Sequence, residues 1–192
     1  MIISTAQISQ LKKNDRKAQY ALYKMCFGYM MSISLRYQKD KVAAEDVVNR
    51  AFLKVSDNIG KYDSTLSFKP WVARITVNEN IDACRRSKTL RKVINFNSDL
   101  VDGDHSLSPH EYNTASVELD ADALRGLVQQ LPSTTRIVFN MYVVDGYKHH
   151  EIADHLSLTT GTSKWHLNSA RKRLKIMIEK LHETDKIVHY GK

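Results

Sequence analysis

The chain has 192 residues, of which 29 are lysine or arginine and 21 are aspartate or glutamate, so its net charge is +8 at pH 7. Glycine and proline are scarce, no segment alternates apolar and polar residues for long, and no apolar run approaches the roughly 18 residues of a membrane-spanning helix. The composition therefore predicts an all-α protein without a transmembrane segment and with a negatively charged partner. The first residues lack the apolar core of a signal peptide, which predicts a cytoplasmic protein.

The charge falls into three blocks along the chain. Residues 1–92 contain 18 basic and 8 acidic residues, whereas residues 93–124 contain seven acidic residues and no lysine or arginine. Residues 125–192 are basic again, with 11 basic and 6 acidic residues. The middle block is also rich in Asn, Ser, Asp and Gly and has little periodicity. We therefore predict two helical domains, 1–92 and 125–192, joined by an acidic flexible linker over 93–124.

Two amphipathic helices are predicted in the first block. The first runs from Gln19 to about Lys39, and the second follows it and ends at Gly60. The second helix has a continuous inner stripe of alanine, valine, phenylalanine and isoleucine. On its opposite face Leu53 is the only large apolar residue, among the polar residues Asp46, Asn49 and Arg50. Such a leucine indicates a surface for a protein partner, although a single exposed leucine also needs no explanation.

The next predicted helix is FKPWVARITVNENIDACRR, with Pro70 in its first turn. Helical spacing places Val77, Ile81 and Cys84 on its inner side. The opposite side carries a tryptophan among polar and cationic residues, namely Trp71, Arg74, Asn78 and Arg85. A flat ring among cations is typical of a surface that stacks on the bases of single-stranded or opened nucleic acid. The alternative is that Trp71 packs beneath the preceding loop and the arginines are solvated.

The second basic block predicts helices over 118–131, from Pro132, over 148–156 and from about Gly161. The last two have the shape of a helix-turn-helix, and Thr160 or Thr162 can cap the second of them. Its inner face comprises Leu167, Ala170 and Leu174, and its outer face comprises Trp165, Asn168, Ser169, Lys172 and Arg173. A basic outer face suits a DNA major groove, but an ordinary amphipathic helix with a solvated cationic face fits the pattern too.

No metal or cofactor site is predicted. The segment HHEIADH resembles a zinc signature, but His150 and His155 lie five residues apart, which separates them by about 140° around a helix. We therefore interpret His149 and His155 as surface residues. The two cysteines, Cys26 and Cys84, have no partner at metal-ligand spacing and are predicted to be buried thiols.

Three of these segments, in this order, resemble the bacterial RNA polymerase sigma factors of the extracytoplasmic-function group. The polymerase-binding segment of that family resembles AAEDVVNRAFLKV. Its promoter-melting and −10-reading segments resemble FKPWVARITVNENIDACRR, and its region 4 resembles LPSTTRIVFNMYVVDGYKHHEIADHLSLTTGTSKWHLNSARKRL. The resemblance covers residues 15–180 and implies promoter recognition and opening, with the acidic linker threading toward the polymerase active-site cleft.

The resemblance also implies roles for particular residues. The surface for core polymerase would comprise Asp46, Asn49, Arg50 and Leu53. The surface for the melted −10 strand would comprise Ser67, Phe68, Lys69, Trp71, Arg74, Asn78 and Arg85. The −35 surface would comprise Thr162, Lys164, Trp165, Asn168, Ser169, Arg171, Lys172 and Arg173. The implied partners are core RNA polymerase, promoter DNA and an anti-sigma factor, with no small-molecule substrate and no catalytic residue.

The chain departs from the family pattern at two places. Asn49 and Arg50 stand where the family usually has Gln-Glu, which reverses a charge on the polymerase surface. Trp165 stands where a small polar residue is common, and His166, Asn168 and Ser169 stand where the family often has basic residues. Three other classes of protein stay open: a helix-turn-helix regulator that is not a polymerase subunit, a metalloenzyme, and a helical adaptor without a DNA role.

Overall fold

The structure is a computed structural model that describes residues 1–86 and 121–190, without the side chains of 121–122 and 182–190. Each regular element in these ranges is a helix, which confirms the all-α prediction. The chain divides into two compact units, Met1–Ser87 and Lys88–Lys192. The predicted linker lies outside the described residues as far as residue 120. None of the helices in the described ranges is long and apolar enough to cross a membrane.

The first unit contains four α-helices: α1 (Thr5–Lys12), α2 (Arg16–Tyr37), α3 (Lys41–Asn58) and α4 (Phe68–Arg86). The sequence analysis missed α1, although its start carries a capping box. The backbone N–H of Ser4 donates to Gln7 Oε1 at 2.9 Å, and the N–H of Gln7 donates to Ser4 Oγ at 3.2 Å. Gly60 does not end α3 directly, because the α-helix stops at Asn58 and a 3-10 turn follows over Ile59–Lys61.

Helices α2, α3 and α4 pack on one another around the core of the first unit. The inner stripe predicted for α3 is buried, with Phe52 half-buried. The inner face of α4 is more polar than predicted, because Thr76, Glu79 and Asn80 are also buried. Asn80 Nδ2 donates to Ser34 Oγ at 3.0 Å and to the Thr76 carbonyl at 2.9 Å. These hydrogen bonds satisfy the buried amide and fix α4 against α2.

The second unit contains α5 (Ala121–Gln129), α6 (Ser133–Phe139), α7 (His149–Leu156) and α8 (Thr160–Tyr190). One π-helical turn, Asn140–Val144, extends α6. The turn before α7 passes through Gly146, whose φ of 76° favours glycine.

Helices α7 and α8 form the predicted helix-turn-helix. The apolar residues predicted to lie inside it are buried, namely Ile152, Ala153, Leu156, Leu167, Ala170 and Leu174. The cap of α8 is Thr159 rather than Thr160 or Thr162, since its hydroxyl accepts from the backbone N–H of Thr162 at 3.0 Å. The turn between the helices is tight because Ser157 adopts a left-handed conformation, with φ 55°.

Candidate functional site

The first candidate surface is the outer side of α3, defined by Asp46, Asn49, Arg50 and Leu53 and called the α3 face here. Leu53 is 60% exposed, as the sequence predicts, and Asp46 and Asn49 are exposed as well. Val42 is 76% exposed and extends the same helical row by one turn. The surface therefore presents two apolar side chains among polar ones, not one.

Arg50 differs from its neighbours on the α3 face because its side chain also reaches helix α4. Its Nε donates to Glu79 Oε1 at 3.0 Å, and its Nη1 forms a short ion pair with Asp46. Glu79 is only 1% exposed. Its Oε2 also forms an ion pair with Lys54 Nζ at 2.5 Å, and its Oε1 accepts from Arg86 Nη2 at 2.8 Å. We call these five residues the Glu79 cluster.

The Glu79 cluster keeps its central carboxylate ionised. Burial alone would raise the pKa of Glu79, but hydrogen bonds from Lys54, Arg86 and Arg50 outweigh burial and hold the pKa below its ordinary value. Burial alone would lower the pKa of Arg50, but its hydrogen bonds to Asp46 and Glu79 outweigh burial and raise that pKa above its ordinary value. The cationic side chain of Arg50 is therefore matched by a buried acid on the neighbouring helix.

The second candidate surface is the outer side of α4, which we call the α4 stripe and define by Trp71, Arg74, Asn78 and Arg85. Arg74 and Arg85 are exposed, whereas Asn78 and Trp71 are partly buried. The Trp71 ring lies 5.1 Å from the Tyr62 ring and 5.6 Å from the Phe68 ring, between ring centroids. The Trp71 ring therefore packs on the core, as the alternative interpretation expects, and still borders the cationic side of the helix, while its contact with nucleic acid stays a prediction.

The loop before α4 is held by local hydrogen bonds. Asp63 Oδ1 accepts from the backbone N–H and the hydroxyl of Thr65, at 2.9 and 2.7 Å, and these bonds lower the pKa of Asp63. The Tyr62 hydroxyl donates to the carbonyl of Leu66. The same Tyr62 ring supports Trp71, so the loop and the stripe are positioned by one side chain.

Three residues at the junction of this loop with α4 were predicted to contact nucleic acid. Ser67 and Lys69 are exposed, and Lys69 Nζ lies 4.9 Å from the centre of the Tyr29 ring. Phe68, however, is 3% exposed and belongs to the core of the first unit. The prediction that Phe68 faces nucleic acid is therefore wrong, and its role is to support Trp71.

The third candidate surface is the outer side of α8, called the α8 face and comprising Lys164, Trp165, Asn168, Ser169, Arg171, Lys172 and Arg173. Lys164, Lys172 and Arg173 are exposed, Trp165 is 46% exposed, and the other three are half-buried. Thr162, which was predicted to belong here, is 4% exposed. It lies inside the turn, where its hydroxyl contacts Thr159 at 2.9 Å, so that prediction is wrong.

Two histidines near α8 lie inside the second unit. His166 is 2% exposed, its Nδ1 lies 3.0 Å from Thr135 Oγ1, and burial lowers its pKa to about 4. It is therefore neutral at pH 7 and does not contribute to the cationic α8 face. His149 and His155 are both half-buried rather than on the surface, and His149 Nδ1 lies 2.9 Å from Ser163 Oγ. Burial, with Lys164 and Arg171 nearby, lowers the pKa of His149.

The described residues contain no group of three or more His, Cys, Asp or Glu arranged to hold a metal ion. Cys26 and Cys84 are buried thiols, as predicted, and neither forms a disulfide with the other. Burial raises the pKa of the Cys26 thiol to about 11.

Sequence reasoning missed three residues that shape these surfaces: Tyr62, Glu79 and His166. Spacing gave no signal for Glu79, because it lies two residues from the predicted inner residues Val77 and Ile81, and residues at that separation do not share a face of a helix. His166 precedes Leu167 on the inner side of α8 and could have been assigned to that side by its spacing. Tyr62 carried no periodic signal, since it lies in a loop.

Family models match both units of the chain. The model for Sigma-70 region 2 matches residues 22–89, and the model for Sigma-70 region 4 matches residues 121–174. The first match contains the α3 face and the α4 stripe, and the second contains the α8 face.

Curated relatives match over most of their length. The ECF RNA polymerase sigma factor SigM of Bacillus subtilis is 26% identical, with 81% of this chain and 92% of that protein covered. SigW of the same organism is 26% identical, with 91% and 96% covered. The RNA polymerase sigma-H factor of Pseudomonas aeruginosa is 22% identical, with 87% and 89% covered.

Two solved structures are similar at 16% sequence identity. One is CnrH in complex with the cytosolic domain of CnrY, with a TM-score of 0.46 over 91% of this chain and 96% of that one. The other is the sigma factor RpoE in complex with the anti-sigma factor NepR from Bartonella quintana, with a TM-score of 0.48 over 83% and 96%.

Proposed function

Because the chain belongs to the sigma-70 family of RNA polymerase sigma factors, in its extracytoplasmic-function group, we propose that its three surfaces divide the work of promoter-specific transcription initiation. The α3 face binds core polymerase, the α4 stripe holds the opened −10 strand, and the α8 face reads the −35 duplex. The observation that carries this proposal is the order of the two matched regions, each of which presents an exposed cationic helix face. A helix-turn-helix regulator that is not a polymerase subunit would leave the first unit unexplained.

The α3 face suits a protein partner better than DNA. Leu53 and Val42 offer apolar area that a partner can remove from water, while Asp46 would repel phosphate. Arg50 is tied to Asp46 and Glu79, so it enters the interface as part of an ion cluster, not as a free cation. The polymerase contact is therefore centred on Leu53, with Asp46 and Asn49 beside it.

The α4 stripe suits an opened strand. Trp71 can offer a ring to one unpaired base, and Arg74, Arg85 and Lys69 are exposed where they can neutralise phosphates. Extruding a base costs a few kcal/mol, which stacking and hydrogen bonds must offset. A ring already held by Tyr62 and Phe68 loses little conformational freedom when the base arrives.

The α8 face suits duplex DNA, since the second helix of a helix-turn-helix enters the major groove with its N-terminal residues toward the bases. Lys164 and Trp165 occupy that end, and Lys172 and Arg173 lie farther along, where they can contact phosphates. We keep the domain limits 1–92, 93–124 and 125–192 as part of the proposal. An anti-sigma partner and a cytoplasmic location, where core polymerase acts, also remain proposals. The chain itself needs no covalent chemistry, because the polymerase core supplies it.

The proposal is tested by adding the chain to purified core RNA polymerase and measuring transcription from the DNA upstream of its own operon. We expect specific initiation with the chain and none with core enzyme alone. Leu53→Asp should weaken co-elution with core polymerase by at least about thirtyfold, because truncating a central contact typically costs 2 kcal/mol or more.

A matched control is Leu66→Asp. Leu66 is 63% exposed in the same unit but lies in the loop before α4, outside the α3 face. We expect its variant to co-elute like the wild type. Equal behaviour of the two variants, with unchanged circular dichroism, would refute the assignment of the α3 face.

A further inference from the structure

The first two turns of α8, Thr160–Leu167, present few side chains to a groove. Thr162, Ser163, His166 and Leu167 are buried. Among these eight residues, Thr160, Lys164 and Trp165 are exposed, and Trp165 is the only large apolar one. Because the N-terminal residues of a recognition helix reach the base edges, Trp165 offers the largest exposed apolar surface for base readout at this end of α8.

The Trp165 ring does not project freely into solvent. Its centroid lies 4.9 Å from that of the His166 ring, and the two planes meet at 78°, an edge-to-face contact. His166 is itself buried and bonded to Thr135 of helix α6. Helix α6 thus fixes His166, and His166 limits the orientations of the indole. The exposed 46% of Trp165 is therefore a surface of defined position.

The surroundings of Trp165 indicate what it contacts. Lys164, Lys172 and Arg173 are exposed on the same side of α8, and they favour a polyanion over an apolar protein surface. Inside a major groove the apolar group that distinguishes the bases is the 5-methyl group of thymine. An indole is mostly hydrocarbon, and its single N–H donor cannot reproduce the two-pronged hydrogen bonding that reads guanine or adenine.

We propose that Trp165 is a specificity-determining residue that reads a thymine of the −35 element by packing its indole against the 5-methyl group. This inference rests on the proposed entry of α8 into the −35 major groove. It requires that the −35 element contain a thymine whose methyl group lies in that groove.

The test begins with the holoenzyme reconstituted from this chain and core polymerase. Promoter duplexes randomised across the −35 region are selected for binding, and each thymine of the selected element is then replaced singly by deoxyuridine. This replacement removes one methyl group and leaves every hydrogen-bonding group in place. We expect one or two positions where it weakens binding about three- to fivefold, the effect of one buried methyl group.

Variants of the chain test whether Trp165 makes the methyl contact. The salt concentration is held constant, because the affinity contributed by phosphate contacts depends on it. At the sensitive position Trp165→Ala should bring the thymine-to-deoxyuridine affinity ratio to about one. Trp165→Phe, which keeps a ring, should retain a ratio above one. Lys172→Ala should weaken binding to both templates equally and preserve the wild-type ratio.

The outcomes separate this inference from the proposal on which it rests. If a −35 element is selected but no thymine is sensitive, or if Trp165→Ala keeps the wild-type ratio, Trp165 does not read a methyl group although α8 reads DNA. If no −35 element is selected with the wild-type holoenzyme, both the entry of α8 into the groove and the thymine contact are wrong.

Discussion

Each unit of the chain carries one of its two tryptophans, and the two rings are supported differently. Trp71 is partly buried and packs on Tyr62 and Phe68, whereas Trp165 is 46% exposed and touches the edge of His166. The first ring therefore belongs to the core and to the surface at once. The second is outside the core, so a substitution there should disturb the fold less than a substitution of Trp71.

The two units also bury polar groups in opposite ways. The first unit surrounds an ionised Glu79 with three cationic side chains. The second unit buries a neutral His166 with one hydrogen bond to Thr135, and His166 Nε2 has no hydrogen-bond partner among the described residues. The ionised Glu79 and the neutral His166 respond differently to acid, so a fall in pH should change the stability of the two units by different amounts.

The largest expected effect is a loss of stability of the second unit in acid. The folded pKa of His166, about 4, lies below its ordinary value of 6.5, so the unfolded chain binds more protons between these values. The contribution of neutral His166 to the free energy of unfolding of the second unit is complete above pH 6.5. That free energy falls by up to about 3 kcal/mol as the pH drops to 4. His149, whose pKa is also lowered, acts in the same direction.

Glu79 behaves differently over this range. The pKa of Glu79 in the folded chain lies below the ordinary value of 4.5. The stabilisation of the first unit by ionised Glu79 is therefore complete above pH 4.5 and is lost only as the pH falls through the folded pKa. Denaturant unfolding at pH 7.5, 6 and 5 can follow each unit by fluorescence, with Trp165→Phe reporting the first unit and Trp71→Phe the second. His166→Gln should remove most of the pH dependence of the second unit. Parallel losses in both units would contradict this difference.

The next largest expected effect is the difference in stability lost when Trp71 or Trp165 is replaced by alanine. Trp71→Ala should lower the free energy of unfolding of the first unit by about 2–3 kcal/mol, somewhat less than a fully buried tryptophan. Trp165→Ala should change the second unit by no more than about 0.5 kcal/mol, as is usual for exposed positions. Thermal unfolding of the two variants beside the wild type measures both values, and similar losses would show that the two rings are equally structural.

A smaller effect tests the Glu79 cluster. A double-mutant cycle with Arg50→Ala and Glu79→Gln should give a coupling free energy of about 1–2 kcal/mol, typical of a charge-assisted hydrogen bond with one buried partner. Lys41 and Glu45 form the matched control, since they lie one helical turn apart on α3, 3.7 Å from each other and with both side chains exposed. Their coupling should not exceed about 0.5 kcal/mol. Equal couplings would remove the structural role assigned to Arg50.

Much of the fold was predictable because it rests on apolar periodicity. The inner stripes of α3, α7 and α8 repeat every three or four residues, and burial follows that repeat. Helix α1 was missed because it is eight residues long and buries only Ile8 and Leu11, too few for a periodic pattern. The start of α8 depends on the hydrogen bond from Thr162 to Thr159, and α3 passes into a 3-10 turn before Gly60, and spacing specifies neither feature.

The surfaces were less predictable than the core because exposure depends on neighbours distant in sequence. Spacing correctly placed Leu53 and Trp165 outside, but it could not show that Arg50 would meet Glu79, 29 positions away. Phe68 and Thr162 were assigned to DNA from their place in a resembling motif. Each is instead buried at the start of a helix, where Phe68 packs against Trp71 and Thr162 contacts Thr159 inside the turn.

The division of work between the two units is tested most directly by comparing Trp71→Ala and Trp165→Ala holoenzymes on two templates, a normal promoter and the same promoter with a pre-opened −10 bubble. Loss of one base–aromatic stack should lower the open fraction of the Trp71→Ala enzyme about tenfold to hundredfold on the normal promoter, at temperatures where the variant is folded. The bubble should restore its activity. The Trp165→Ala enzyme should show the same smaller deficit on both templates, because the bubble leaves the −35 duplex unchanged. Failure of the bubble to rescue Trp71→Ala, or rescue of both variants, would contradict the account.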